Sequence, residues 1–303
     1  MYKILIADSI AKPGLEELKK NPNFEVVEKT KITPEELTAE IGDYNALVVR
    51  SRTKVTADMI EKAKNMKLIV RGGVGTDNID KKAAEKMGIA VKNTPKASSI
   101  SVAELVIGMM LAGVRELVDA TVSTKNGKWE KKRFEGIEIY GKTLGIVGFG
   151  NIGKEIAKRA LGMGMKVLAY DPFVTSTDIA GVKLTTMDEV LTSSNFITLN
   201  CPKTEETKGL INEKSIETMK DGVGIINCSR GGIIDEAALK AAIEKGKVSF
   251  AGIDVYSTEP PDASHPFFAM EKVILTPHVG AQTKEGQTRV AVEVASVIND
   301  FFK

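Results

Sequence analysis

Residues 143–160 read Thr143-Leu144-Gly145-Ile146-Val147-Gly148-Phe149-Gly150-Asn151-Ile152-Gly153-Lys154-Glu155-Ile156-Ala157-Lys158-Arg159-Ala160. The stretch begins as an apolar run of strand length, passes through a G-x-G-x-x-G turn and continues with helical spacing. Such a turn alone is weak evidence. Here it follows a strand and opens a helix, and an acid, Asp171, closes the next apolar run (Lys166–Tyr170) about 20 residues on. Each glycine has a physical task. Gly148 permits the tight turn, Gly150 lets backbone approach a pyrophosphate, and Gly153 lets helix and strand pack closely. Asn151 and Ile152 open the helix, where bare N–H groups attract phosphate. This is the pattern of a dinucleotide site. Asp171 would accept hydrogen bonds from the adenosine ribose and repel a 2′-phosphate, and Pro172-Phe173-Val174 offers no arginine to offset that. The expected cofactor is NAD and not NADP.

Working outward, strand and helix signals alternate along the whole chain. Towards the N-terminus, Lys3–Ala7, Asn45–Val49, Leu68–Val70 and Ile89–Val91 read as strands, with helices at Pro13–Lys20 and Thr56–Lys64. Towards the C-terminus, the strand signals are Phe196–Leu199, Val223–Ile226, Ser249–Ile253 and Val273–Leu275, before a last helix over Ala281–Phe302. Repeated β-α units predict α/β architecture with doubly wound parallel sheets. Between the two series, Ser101-Val102-Ala103-Glu104 has the form of a capping box and predicts a helix running to about Ser123. Its first half, Val102–Val114, is apolar on nearly every face, so it must be covered by a neighbouring domain or a second subunit. The expected division is residues 1–96 with 281–303 as a substrate-binding domain, and 97–280 as an NAD-binding domain.

At 303 residues the chain exceeds the ~250–300 at which single cores stop growing. Its 42 basic and 40 acidic side chains leave a net charge of +2, which gives no reason to expect nucleic acid or a membrane surface as partner. The two cysteines, Cys201 and Cys228, form no C-x-x-C pair, and with only two histidines no metal site is expected. The N-terminal apolar run is too short for a signal peptide and no stretch reaches the ~18 apolar residues of a membrane span, so the cytoplasm is the expected location.

Hydride transfer to a keto acid needs a cation for the carboxylate and carbonyl, an acid to protonate the nascent alkoxide, and a group that tunes the acid. Three residues at strand ends or in loops suit these tasks. Arg230, in Asn227-Cys228-Ser229-Arg230-Gly231-Gly232, offers a fork that matches a carboxylate. His278, in Thr276-Pro277-His278-Val279-Gly280, is the candidate acid, and a nearby carboxylate favours the protonated imidazole. Glu259, in Ser257-Thr258-Glu259-Pro260-Pro261, would supply that carboxylate. By themselves these also read as a surface arginine before a glycine turn and a solvated loop acid. His265 reads as structural or exposed.

The glycine fingerprint, Asp171, Cys228-Ser229-Arg230-Gly231-Gly232, Glu259-Pro260-Pro261 and Pro277-His278-Val279-Gly280, in this order, resemble the D-2-hydroxyacid dehydrogenases over essentially the whole chain. The resemblance implies two Rossmann-like domains with an active-site cleft between them, a small 2-hydroxy or 2-keto acid as substrate, and a homodimer. It implies a catalytic set of Arg230, Glu259 and His278. It extends the cofactor contacts beyond the fingerprint to Cys201, Pro202, Thr207, Cys228, Ser229, Asp254, His278 and Gly280. Within the family, Arg71-Gly72-Gly73-Val74-Gly75-Thr76-Asp77-Asn78-Ile79-Asp80, Asn93-Thr94-Pro95 with Ser98–Leu105, and Gly127-Lys128-Trp129 through Phe134 resemble the branch that acts on a phosphorylated substrate. Gly73, Val74 and Gly75 would then offer N–H groups to the carboxylate as an anion nest. Arg50, Arg52 and Arg71 would meet the phosphate. By the same resemblance Lys131, Lys132 and Arg133 reach the neighbouring subunit's site, and Arg230 and His278 also touch substrate.

Two departures stand out. Val74 and Thr76 occupy positions where threonine and valine look more usual, and the chain ends after one helix where long forms continue into a serine-sensitive regulatory domain, so serine feedback is expected to be absent. The rivals are sister reductases acting on unphosphorylated glyoxylate or hydroxypyruvate, and D-lactate dehydrogenases. Formate dehydrogenases, which place glutamine where Glu259 stands, are disfavoured, and a non-enzymatic NAD-sensing corepressor is more remote.

Overall fold

The structure, a computed structural model, describes residues 1–303 and divides into two compact units, residues 1–98 with 281–303 and residues 99–280. The first unit runs β1 (Tyr2–Ile6), α1 (Lys12–Lys19), β2 (Phe24–Glu28), α2 (Pro34–Glu40), β3 (Ala46–Val49), α3 (Ala57–Lys62), β4 (Leu68–Arg71), α4 (Lys81–Lys86) and β5 (Ala90–Asn93). The second runs α5 (Ser99–Val114), α6 (Leu117–Lys125), β6 (Thr143–Val147), α7 (Asn151–Gly162), β7 (Lys166–Tyr170), β8 (Val182–Leu184), α8 (Met187–Ser193), β9 (Phe196–Leu199), α9 (Glu213–Thr218), β10 (Val223–Asn227), α10 (Glu236–Glu244), β11 (Val248–Ile253) and β12 (Val273–Leu275). Helix α11 (Lys284–Phe301) belongs to the first unit.

Both sheets are wholly parallel. The first has five strands in the order β2-β1-β3-β4-β5, the second seven in the order β12-β11-β10-β9-β6-β7-β8. In each, the order reverses beside the first strand of its unit. At such switch points the loops leaving the strand carboxyl ends diverge and open a crevice. The central strands β3, β9 and β10 are buried along their whole length. A parallel sheet is covered by helices on both faces, which is why its inner strands read as unbroken apolar runs. In the first unit Val290, Ala291, Val294 and Ile298 of α11 pack on Ile4, Ile6, Val48 and Val70.

The connector differs from its sequence reading. Helix α5 starts at Ser99, so Ser101 is buried within its first turn and does not stand before it, while Glu104 pairs with Arg159 at 3.1 Å. The helix does not run through to residue 123. It stops at Val114, and Glu116 adopts a left-handed backbone (φ 46°) before α6 begins. The apolar face of α5 is covered within its own unit, where Val102, Val106, Met109 and Met110 join a core with Ile146, Ile156 and Phe250. A second subunit is not needed to cover it. No helix is long and apolar enough to cross a membrane.

Candidate active site

Strand β6 ends in the glycine turn, and α7 begins at Asn151 with Gly150 as its cap. Gly148 has φ 90°, and a Cβ there would fall 2.6 Å from the Asn200 carbonyl carbon. A Cβ on Gly153 would fall 2.3 Å from the Gly148 carbonyl oxygen, so helix and turn are in direct contact. Gly150 is the opposite case, because a Cβ there meets nothing within 4 Å. The protein's own backbone fills the space over the first and third glycines and leaves it open over the second, at a helix N-terminus. That is the space a pyrophosphate needs. Asp171 is held by the N–H of Phe149 at 2.8 Å to Oδ2 and of Phe173 at 2.9 Å to Oδ1. Fixed in this way beyond β7, its remaining lone pairs fit ribose hydroxyls. The residues present therefore fit a dinucleotide.

Around this turn, Thr207 Oγ1 donates to the Pro202 carbonyl at 2.7 Å and accepts from Thr204 N at 2.7 Å, which closes the loop after β9. Burial pushes the Cys201 thiol up to about 11, with the Asp171 charge adding to the effect, so Cys201 presents a neutral wall. Cys228 is buried with Sγ 3.7 Å from Met109 Sδ, so its side chain belongs to the core.

The three candidate chemical groups all lie in the second unit, beyond strand carboxyl ends. His278 Nδ1 is 2.7 Å from Glu259 Oε2. Nδ1 being engaged, Nε2 is the nitrogen available to a substrate. Burial raises the Glu259 carboxyl, but its bonds to His278 and to the Tyr256 N–H, with the charges of His278 and Arg230, outweigh this and hold it below its ordinary value. Arg230 follows β10 in a turn organised by Asn227, whose Oδ1 accepts from Ser229 N and Oγ and whose Nδ2 donates to the Arg230 carbonyl. His278 has a left-handed backbone, φ 53°, which is costly for a residue with a Cβ. Asp254, fully buried at the end of β11, holds that turn by accepting from Thr276 Oγ1, Val279 N and Gly280 N. Its two backbone bonds measure 2.8 and 2.9 Å.

In the first unit Arg50 and Arg71 converge on one glycine pair. A Cβ on Gly72 would lie 3.5 Å from Arg50 Cγ, and a Cβ on Gly73 (φ 145°) only 1.4 Å from Arg71 Nη1. The Arg71 guanidinium thus lies directly over the glycine loop. Arg50 Nε is buried without a hydrogen-bond partner, and burial pushes this guanidinium below its ordinary pKa, with Asp8 opposing. Arg52 is occupied otherwise, donating from Nε to Asp8 Oδ1 at 2.8 Å and from Nη2 to the Ala7 carbonyl at 2.7 Å. Lys131, Lys132 and Arg133 are all exposed, and Arg133 also lies near Glu130 and Glu271 and over the Phe134 ring.

The model of the D-isomer specific 2-hydroxyacid dehydrogenase NAD-binding domain matches residues 107–280. The chain belongs to that family. It is 48% identical to a D-3-phosphoglycerate dehydrogenase of Archaeoglobus fulgidus over 99% of this chain and 57% of that protein. It is 48% identical to a hydroxypyruvate reductase of Thermotoga maritima over 98% of this chain and 97% of that one. The chain thus spans little more than half the length of the first relative and nearly all of the second. A glyoxylate reductase structure from Paecilomyes thermophila superposes with a TM-score of 0.91 at 30% identity, covering 100% of this chain and 95% of that one. The chain is accordingly related to NAD-dependent oxidoreductases, and its fold is theirs.

Several supporting residues carry no motif and give no signal in the sequence. Asp8, 3% exposed, accepts from Arg50 N, Arg52 Nε, Thr53 N and Thr53 Oγ1, and Asn78 Nδ2 donates to the carbonyls of Arg50 and Thr53. Together they clamp the loop that carries Arg50. Glu236 of α10 accepts from Ser257 N and Oγ and meets His265 Nε2 at 3.1 Å, bracing the loop that contains Glu259. Phe267 N donates to His265 Nδ1, so Nε2 is the donor to Glu236 and His265 is a structural member of the loop.

Proposed function

We propose that this dehydrogenase interconverts D-3-phosphoglycerate and 3-phosphohydroxypyruvate with NAD, the reaction that opens a route to serine. The observation that carries this reading is the convergence of Arg50 and Arg71 on Gly72-Gly73, with Arg50 Nε lacking a partner within the chain. A guanidinium whose Nε is buried and unpaired favours a doubly charged ligand group, because arginine can meet phosphate bidentately. The N–H groups of residues 73–75 suit the carboxylate.

NAD held by its pyrophosphate at the glycine turn would supply or accept the hydride through its nicotinamide. Arg230 holds the substrate carboxylate and polarises its carbonyl. In the direction of reduction, His278 gives the proton on Nε2 to the alkoxide oxygen, and Glu259 stabilises the imidazolium through Nδ1. In oxidation His278 takes that proton back. Asp171 favours NAD over NADP, since a 2′-phosphate would face its carboxylate.

The deciding measurement is NADH oxidation with 3-phosphohydroxypyruvate, hydroxypyruvate and glyoxylate in parallel. A higher kcat/KM on the phosphorylated acid supports this reading. Preference for hydroxypyruvate supports the second one, an unphosphorylated-acid reductase, which is favoured by the nearly full-length match to the Thermotoga enzyme.

A homodimer fits α6, where Leu117, Val118 and Val122 are about half exposed and lie near the exposed Trp129 in sequence. Sedimentation at micromolar protein tests it, and a monomeric mass rejects it.

A further inference from the structure

We propose that Tyr256 is a positioning residue that ties the Glu259 carboxylate, the turn bearing His278 and the segment after Arg230 into one frame. This rests on the reading of Arg230, Glu259 and His278 as the chemical groups. Tyr256 lies just beyond β11 and is 7% exposed. It makes three contacts with three different parts of the site. Its N–H donates to Glu259 Oε1 at 3.1 Å, leaving Oε2 for His278. Its hydroxyl donates to the Thr276 carbonyl at 3.1 Å, two residues before His278. Its own carbonyl packs on Gly231, where a Cβ would fall 1.8 Å from that oxygen, so the chain directly after Arg230 rests on the Tyr256 main chain.

The hydroxyl has a specific task. His278 holds an unfavourable backbone angle, and such a conformation persists only where surrounding bonds over-determine it. Asp254 grips the turn through Thr276 Oγ1 and the N–H groups of Val279 and Gly280. Tyr256 adds a bond on the Thr276 carbonyl, from the same residue whose N–H sets Glu259. One residue, through its N–H and its hydroxyl, therefore fixes the spacing between acid and carboxylate. Burial, then the charges of Asp254, Glu259 and Glu236, push the phenol above its ordinary pKa and keep it a donor. The ring meets His265 edge-on at 5.7 Å, in the loop braced by Glu236.

Tyr256→Phe keeps the ring and all main-chain contacts and removes one oxygen. It should lower kcat for keto-acid reduction about 3–10-fold, as expected for one lost hydrogen bond, with KM for NADH unchanged. The alkaline limb of the pH profile should move to lower pH, because a looser Glu259–His278 contact stabilises the imidazolium less. In a Glu259→Gln background the same change should cost less than about 2-fold, since the contact it tunes is already gone. Tyr256→Leu should reproduce the shifted profile and also lower the melting temperature. A lowered melting temperature with an unmoved pH profile in both variants, or full additivity with Glu259→Gln, overturns the proposal. His278→Ala, assayed beside them, separates the two readings. If that variant retains activity, the catalytic assignment fails first. If it loses activity while Tyr256→Phe matches the parent, only the role of Tyr256 fails.

Discussion

Nδ1 of His278 and Oε2 of Glu259 lie 2.7 Å apart, joining a residue just past β12 to one in the loop after β11. Nineteen positions separate them in the chain. An imidazole held through Nδ1 by a carboxylate can present a proton on Nε2, which is the arrangement a general acid requires. His278→Ala should reduce kcat for keto-acid reduction by about 10²–10⁴ while leaving NADH affinity nearly unchanged, because the dinucleotide turn is untouched. Steady-state rates together with fluorescence titration of NADH check this, and a matching loss in both would indicate collapse of the unit.

Glu259→Gln keeps the shape of the pair and removes its charge. The acid must be protonated for reduction, so the rate declines as pH rises. Without the carboxylate the imidazolium is less stabilised, and that decline should begin at lower pH. A profile superimposable on the parent's would remove Glu259 from the proton path.

Arg71 lies over the glycine loop, with Nη1 where a Gly73 Cβ would be. Arg71→Ala should lower kcat/KM for 3-phosphohydroxypyruvate roughly 10–150-fold, the equivalent of ~1.5–3 kcal/mol for a charge-assisted bond. Hydroxypyruvate should be nearly unaffected. Arg52→Ala should show no such selectivity, because that guanidinium is engaged with Asp8 and Ala7. Equal losses on both acids for Arg71→Ala would mean that it supports the loop and not the phosphate.

Burial raises the Asp8 carboxyl, but bonds from Arg50, Thr53 and Arg52 outweigh it and the net shift is downward. A carboxylate with a depressed folded pKa contributes stability that is present above its unfolded pKa, about 4, and is lost as pH falls through the lower folded value. Asp8→Asn should cost about 1–3 kcal/mol at neutral pH. The gap between the two melting curves should close as pH drops below about 4. A gap independent of pH would show that the charge on Asp8 contributes nothing.

Asp171→Ala should raise kcat/KM for NADPH relative to NADH, since the charge facing a 2′-phosphate is removed. Parallel assays with the two cofactors decide it, and an unchanged ratio would count against Asp171 as the discriminating group.

The α/β class and the inner strands were legible because local order and tertiary need coincide. A strand buried on both faces is an apolar run in any context, and β6, β9 and β10 were read within a residue or so. Of the four edge strands, β5 and β12 were read but β2 and β8 were not, because Glu25 and Glu28 in β2 and Lys183 in β8 interrupt the apolar residues and leave no such run. The break at Glu116 was also hidden. Apolar spacing continues past it, and only the packed core decides that α5 stops at Val114.

Chemistry divides in the same way. The glycine fingerprint and Asp171 are local features, since a turn and the strand beside it are specified by spacing, and the sequence by itself determined them together with the parallel α/β architecture. Motifs named Arg230, Glu259 and His278, but their mutual geometry depends on three separate strand ends lying side by side. Only the tertiary structure decided that Glu259 meets Nδ1 of His278, that Arg52 is spent on Asp8 while Arg50 Nε has no partner in the chain, and that α5 is covered by its own unit. Asp8, Asn227 and Tyr256 had no signal at all. Their roles come from hydrogen bonds between loops, and the direction of a loop bond is set by the packing of the sheet beneath it and not by the residues on either side.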